Sequence, residues 1–463
     1  MLPACGRSLS PPKQDVPLKQ TKPFRPERAV RLKHPHVKEC TTQSGNLEMP
    51  LRVDTVIIGA GQAGLALSHC LTVRGIEHVV LERGRVGERW LSERWPELRL
   101  LSPNFVTRLP GLGTLGDPEG FMRSREFGTL LNDYGRGFGA PIRMGCEVVS
   151  VNRAGDRFFV FTTRGAFSAS AVVIATGACD QPAIPAWAEE LPDDIRQVTA
   201  TNYIGPDMLD EGGVLVVGAS ATGMQIARDL SASGRPVTIS VGRHAPAPRR
   251  YRGRDLFYWL ERTGYLFEPR DPAIPDERLL TLPSLQLAGG TDRKEINLDR
   301  LKAQGVTIAG RALGVTAGKV HFDDSLPKVV YAAEIRLSRL LSRIDHYISG
   351  MGFDAPPRPE ARKFHEKVGY GPRLLNLEAA GIRTVVWATG FRRTYPWLRL
   401  PVLDSRGEIL HAGGATPEPG LFAMGLPFMR QRSSAFIYGT GRDAEAIAEG
   451  VAAHLTISKS IAA

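Results

Sequence analysis

The sequence predicts an α/β protein of two Rossmann-like three-layer domains, one carried as an insertion within the other, and three observations predict it. Short, continuous apolar runs recur at residues 53–58, 79–81, 171–175, 214–217, 237–241 and 385–388. Continuous rather than alternating hydrophobicity marks strands buried on both faces, as in parallel sheets. Helical stretches lie between several of these runs, which gives the strand–helix alternation of a doubly wound sheet. Two of the runs, 53–58 and 214–217, pass directly into glycine-rich turns that open helices.

A chain of 463 residues exceeds one ordinary core and calls for two or three domains. Its 42% apolar and 23% charged residues are the composition of a soluble protein with sizeable cores. The 59 basic against 48 acidic residues leave a formal charge of +11. Those charges are spread along the chain without a nucleic-acid reading motif, so nucleic acid is not expected as a partner. The cysteines, Cys5, Cys40, Cys70, Cys146 and Cys179, form no CxxC pair. That pattern argues against a disulfide framework, a zinc site and dithiol electron transfer, and fits a reducing cytoplasm. No apolar run approaches the ~18–20 residues of a membrane-spanning helix.

Taken in chain order, residues 1–50 are rich in Pro, Lys and Arg and lack apolar periodicity, which predicts a disordered extension. The first glycine motif follows, Gly59-Ala60-Gly61-Gln62-Ala63-Gly64. Its first glycine permits the turn, its second lets backbone approach a pyrophosphate, and its third lets helix and strand pack closely. The run 79–81 then ends in Glu82 and Arg83, where a carboxylate accepts hydrogen bonds from a ribose. This pattern predicts FAD at the front of the chain.

The second motif, Gly218-Ala219-Ser220-Ala221-Thr222-Gly223, has serine in place of the middle glycine. Its following run ends in Gly242-Arg243-His244 instead of an acid, with Arg249, Arg250, Arg252 and Arg254 close behind. A guanidinium there suits a 2′-phosphate, so NADPH is expected over NADH, with Arg243 as its contact. Residues 332–349 carry apolar side chains at helical spacing and predict an amphipathic helix, with a Pro/Arg loop at 355–363 behind it. Two further strands end in Ala175-Thr176-Gly177 and Ala388-Thr389-Gly390, marking junctions between domains. The expected layout is a discontinuous FAD domain, 51–205 and 375–463, holding an NAD(P)H domain at 206–374 with a helical insertion. Gly439-Thr440-Gly441-Arg442-Asp443 opens a last helix whose N-terminus would face the flavin, with Asp443 beside it.

These motifs in this order resemble the flavin-containing monooxygenases, and within them the bacterial relatives of the YUCCA monooxygenases, from about Val53 to Leu455. Gly87-Glu88-Arg89-Trp90 is similar to the family's GG-x-W segment with one glycine replaced; there the tryptophan lies against the flavin, which implies the same of Trp90. The linker Thr199-Ala200-Thr201-Asn202-Tyr203 keeps the family's tyrosine as Tyr203 but has Thr199 where histidine stands. Asn104 is the nearest match to an asparagine that some relatives hold over the flavin. Tyr203 and Asn104 are therefore the candidate catalytic residues. The resemblance implies hydride transfer from NADPH to FAD and oxygenation of a small organic molecule by O2 through a C4a-hydroperoxyflavin. Thr199 leaves open an NADPH-dependent reductase or oxidase without oxygen transfer, and a non-catalytic redox sensor is the reading from another class. No metal is called for, and a homodimer is left open.

Overall fold

The computed structural model describes residues 49–271, 282–290, 294–360 and 363–462. The extension expected at 1–50 lies outside the described residues up to Leu47 and Glu48. All six apolar runs are strands.

The first sheet holds β1 (Leu51–Ile58), β2 (His78–Leu81), β3 (Ile142–Arg143), β4 (Val148–Ala154), β5 (Arg157–Thr162) and β6 (Gly165–Ile174) in the order β3-β2-β1-β6-β5-β4. β1 pairs in parallel with both β2 and β6, aligning Ile58 with Leu81 and Ile174. Those three strand ends therefore meet at one edge. Helix α1 (Gln62–Val73) connects β1 to β2 and buries Leu65, Ala66, Leu67 and Leu71 on the sheet. β4, β5 and β6 form an antiparallel meander, of which β4 and β5 were not among the predicted strands.

The chain then enters a second, five-stranded sheet. Its strands are β7 (Arg196–Thr199), β8 (Gly213–Val217), β9 (Val237–Ser240), β10 (Thr307–Ala309) and β11 (Ile382–Trp387), in the order β10-β9-β8-β11-β7 and all parallel. Helix α2 (Ala221–Ala232) links β8 to β9. After β11 the chain returns to the first sheet as β12 (Leu421–Ala423), parallel to β6, and closes with helix α5 (Thr440–Ala462). The last helix buries Ala444, Ile447, Ala448 and Val451 in the core of the first sheet.

Between β9 and β11 lies the helical insertion, with α3 (Leu256–Arg262) and α4 (Leu326–Gly350). A separate apolar cluster gathers Leu256, Trp259, Leu260, Ile344 and Ile348 there. The amphipathic helix expected at 332–349 starts six residues earlier, at Leu326, with a proline at its first turn where the missing N–H costs nothing. Its apolar stripe is buried at Ile344 and Ile348, whereas Ile335 is exposed. Among the described residues no helix is long and apolar enough to cross a membrane.

Candidate functional site

Two cradles occupy equivalent places, one at the edge of each sheet. In the first, Gly59 has φ +109°, and a Cβ there would sit 2.6 Å from the Ala175 carbonyl oxygen. A Cβ at Gly64 would come within 1.9 Å of the Gly59 oxygen. The turn between β1 and α1 is thus wedged against the end of β6, and only glycine fits at both places. Gly61, by contrast, has an ordinary extended backbone (φ −83°, ψ −173°) and nothing within 4 Å of its would-be Cβ. It faces open space at the start of α1, which is what a pyrophosphate needs. Gly425, in the loop after β12, closes the far wall, 3.1 Å from Ala63 by its would-be Cβ.

Glu82 follows β2 directly, beside this turn. Its two carboxylate oxygens accept from the Ala60 and Gly84 amides at 2.8 and 2.9 Å. Each oxygen has a further lone pair, so the side chain is fixed and still able to accept from a hydroxyl. Trp90 lies alongside, donating from Nε1 to Gln62 Oε1 at 3.2 Å and meeting Phe127 edge-on. Arg83 is exposed, and Thr176 and Gly177 follow β6 at the same edge, half-buried.

The second cradle repeats the wiring. Gly218 has φ +110° and its Cβ would lie 2.3 Å from the Ala388 oxygen, while one at Gly223 would lie 1.9 Å from the Gly218 oxygen. Ser220 holds φ −77° and ψ −176°, the conformation of Gly61, so its side chain costs no strain. Thr389 and Gly390 follow β11, with the Thr389 hydroxyl donating to the Ala183 carbonyl at 2.6 Å. Arg243 lies exposed just past β9. The arginines behind it do different work. Arg249 is 2% exposed, pairs with Asp255 at 2.7 Å, donates to the Leu101 carbonyl and stacks on Phe121 and Phe257. Arg250 and Arg252 pair with Glu119 and Asp345.

At the first residues of α5 the packing leaves buried polar atoms without a close hydrogen bond. Asp443 is 1% exposed, and burial pushes its carboxyl up to about 6 from 3.8. Both its oxygens, Gln431 Nε2 and Ser433 Oγ are buried without a hydrogen bond. Arg430 stands 3.9 Å from the carboxylate and the Ser434 hydroxyl also faces it. Buried polar atoms are almost always paired, so this cluster fits a group that supplies donors and acceptors at a helix N-terminus, such as a flavin ring. The segment 268–270 lies along it: Pro269 bridges Gln431, and the Arg432 amide donates to the Glu268 carbonyl at 2.9 Å. Gln431 belongs to the polar stretch Met429-Arg430-Gln431-Arg432, which the sequence places near a substrate mouth; Ser433 gave no such signal, since a lone polar residue in a loop has no periodicity.

The two candidate catalytic residues fare differently. Asn104 donates to the Asp117 carbonyl at 2.8 Å and keeps Oδ1 buried and unpartnered. Tyr203 is a core side chain of the second sheet, wholly buried against Trp95, with its hydroxyl donating to Asp229 at 2.7 Å. Burial and Asp229 raise its pKa, and its proton has no open face from which to react. Thr199 is tied into a turn, its backbone N–H donating to Asn202 Oδ1 at 2.7 Å.

Two cavities adjoin these elements. One of about 100 Å³ is lined by Arg270, Arg393, Arg406, His411 and Phe428. An open cleft of about 570 Å³ lies among Phe105, Arg108, Tyr258, Glu261, Arg262 and Tyr347. Among the described residues no cluster of His, Cys, Asp or Glu is placed to hold a metal.

Known proteins with this arrangement are numerous. Residues 56–261, from the first cradle through the second, match a family described as pyridine nucleotide-disulphide oxidoreductase. The chain is 31% identical over 405 residues to an uncharacterized CzcO-like oxidoreductase of Geobacillus kaustophilus, spanning 87% of this chain and 99% of that one. It is 32% identical over 211 residues to the probable indole-3-pyruvate monooxygenase YUCCA1 of Arabidopsis thaliana, 42% of this chain and 48% of that one. Among solved structures, a flavin-containing monooxygenase from Stenotrophomonas maltophilia shares the fold with a TM-score of 0.61 at 19% identity, over 87% of this chain and 99% of the other.

Proposed function

From the chain's membership of the CzcO-like oxidoreductases, within the flavin-containing monooxygenase family, we propose that it binds FAD in the first cradle and NADPH in the second and oxygenates a small organic molecule with O2. The observation that carries this reading is the duplicated wiring, in which Gly59, Gly64 and Ala175 are matched contact for contact by Gly218, Gly223 and Ala388. Two cradles of one design serve two dinucleotides. The nicotinamide domain is then the part built on the five-stranded sheet, between about Arg196 and Trp387, inside a discontinuous FAD domain.

FAD, when bound, supplies the hydride acceptor and the oxygen activation. The protein's own residues hold and shield. The amides at the start of α1 and the open backbone of Gly61 receive the pyrophosphate, and Glu82 accepts from a ribose hydroxyl. Trp90 walls the ring from water. Ser433, Gln431 and the N-terminal amides of α5 would offer donors to the polar edge of the ring. Asp443 holds a proton up to about pH 6 at the same place.

The names of relatives support a small-molecule substrate and O2 as co-substrate. A second reading keeps both cofactors and releases peroxide instead of transferring oxygen. It is favoured by Thr199, whose hydroxyl contacts Thr201 and Asn202 and offers no imidazole. One experiment separates them. Purified flavoprotein is given NADPH, isotope-labelled O2 and a panel of small nucleophilic and carbonyl compounds. Label in an organic product is the expected outcome; half of the consumed oxygen returned by catalase, with no labelled product from any compound, sinks the monooxygenase reading.

A further inference from the structure

Helix α4 lays a second guanidinium beside Arg243. Arg336 Nη2 donates to the carbonyl oxygen of His244, the very next residue, at 2.9 Å. His244 is itself buried, with Nδ1 against the Gly242 carbonyl at 3.0 Å. The backbone to which Arg336 is tied is therefore the turn that follows the second cradle. Arg336 makes no ion pair with a carboxylate among the described residues. Arg336 is exposed on α4, and its pKa is lowered by partial desolvation first and by the Arg243 charge second. A dianion offsets both costs, because guanidinium forks match phosphate oxygens and one anion neutralises two like charges.

Resting on the reading that the second cradle takes NADPH, we propose that Arg336 is a specificity-determining residue that grips the cofactor's 2′-phosphate together with Arg243. The hydrogen bond to His244 occupies one N–H and orients the plane, leaving the remaining N–H groups for phosphate oxygens. The strand end supplies one half of the clamp, and the helical insertion supplies the other.

The test is calorimetric binding to the FAD-loaded protein of 2′,5′-ADP against 5′-AMP, and of NADP+ against NAD+. Wild type is expected to prefer the phosphorylated member of each pair. Arg336→Ala should weaken 2′,5′-ADP and NADP+ about tenfold or more while moving 5′-AMP and NAD+ less than about twofold. Arg336→Gln keeps an N–H donor for the His244 carbonyl without the charge, and should lose the same discrimination. Equal weakening of all four ligands by Arg336→Ala, or full discrimination retained by Arg336→Gln, overturns the inference and makes Arg336 a brace for the turn. Should wild type itself fail to prefer 2′,5′-ADP, the NADPH reading falls and the inference falls with it. Preference in wild type that survives Arg336→Ala sinks the inference alone.

Discussion

Single residues here divide by what a side chain at the same position would meet. A Cβ at Gly64 collides with backbone at 1.9 Å, whereas at Gly61 it enters open space from an ordinary extended backbone. Gly61→Val should therefore fold, melt within a few degrees of wild type and purify colourless, because only the pyrophosphate's space is taken. Gly64→Ala should cost about 2 kcal/mol or more of stability, read by denaturant melts, since backbone must shift. Asp443 allows a pH prediction. Its folded pKa of about 6 exceeds the ordinary 3.8, so between those values the native state holds a proton that the unfolded chain releases. Stability contributed by the neutral carboxyl is present at low pH and is lost as pH rises through that window. Flavin-free Asp443→Asn should be flat across it and, near neutral pH, more stable than wild type by up to about 3 kcal/mol. A variant that melts like wild type at every pH would show the carboxyl to be solvated. Arg249 shows why position along the chain misleads: it sits six residues past Arg243 yet is a buried partner of Asp255, a pair whose rupture costs about 3–5 kcal/mol.

Among the elements, the segment after α3 ties the insertion to the loop before α5. Glu268 accepts from Arg432 at 2.6 Å and pairs with Arg343 of α4, while Arg432 stacks over Tyr265 and Phe428. Phe428 has φ +51°, a backbone conformation that costs about 1–3 kcal/mol in a bulky residue and persists only when its surroundings hold it. The seam is that surrounding. Glu268→Ala should lower global stability by only about 1 kcal/mol, because both pairs are partly solvated. Amide exchange at residues 265–271 and 430–434 should nevertheless quicken by much more than elsewhere. Uniform exchange rates in the variant would show that the seam holds nothing. Strands such as β1 and β8 were legible because burial on both faces leaves an unbroken apolar run. β4 and β5 were not, since a half-exposed meander leaves a weak alternating pattern, and β7 and β10 are too short to carry a period at all.

At the scale of the molecule, the described cysteines are all free thiols. Cys70 and Cys146 are buried and Cys179 is half-buried, and no two of the described cysteines are bonded. Burial, with a hydrogen bond to Glu445 behind it, pushes the Cys70 thiol up to about 12, so it is no nucleophile at neutral pH. On the proposed reading electrons pass from NADPH to the flavin and then to O2, and the oxygen-label experiment is the measurement that follows them.

The chain by itself determined the α/β class, the two cradles and the family, because each rests on residues adjacent in sequence: a buried strand, a turn that only glycine can make, and a helix behind it. Tertiary structure alone decided which polar groups meet. It withdrew Tyr203 into a core, turned Arg249 inward, left atoms of Asp443, Gln431 and Ser433 buried without a hydrogen bond, and set Arg336 beside a turn 92 positions away in sequence. Such encounters depend on how separate elements pack, and no local periodicity encodes the distance between residues that chain topology brings together.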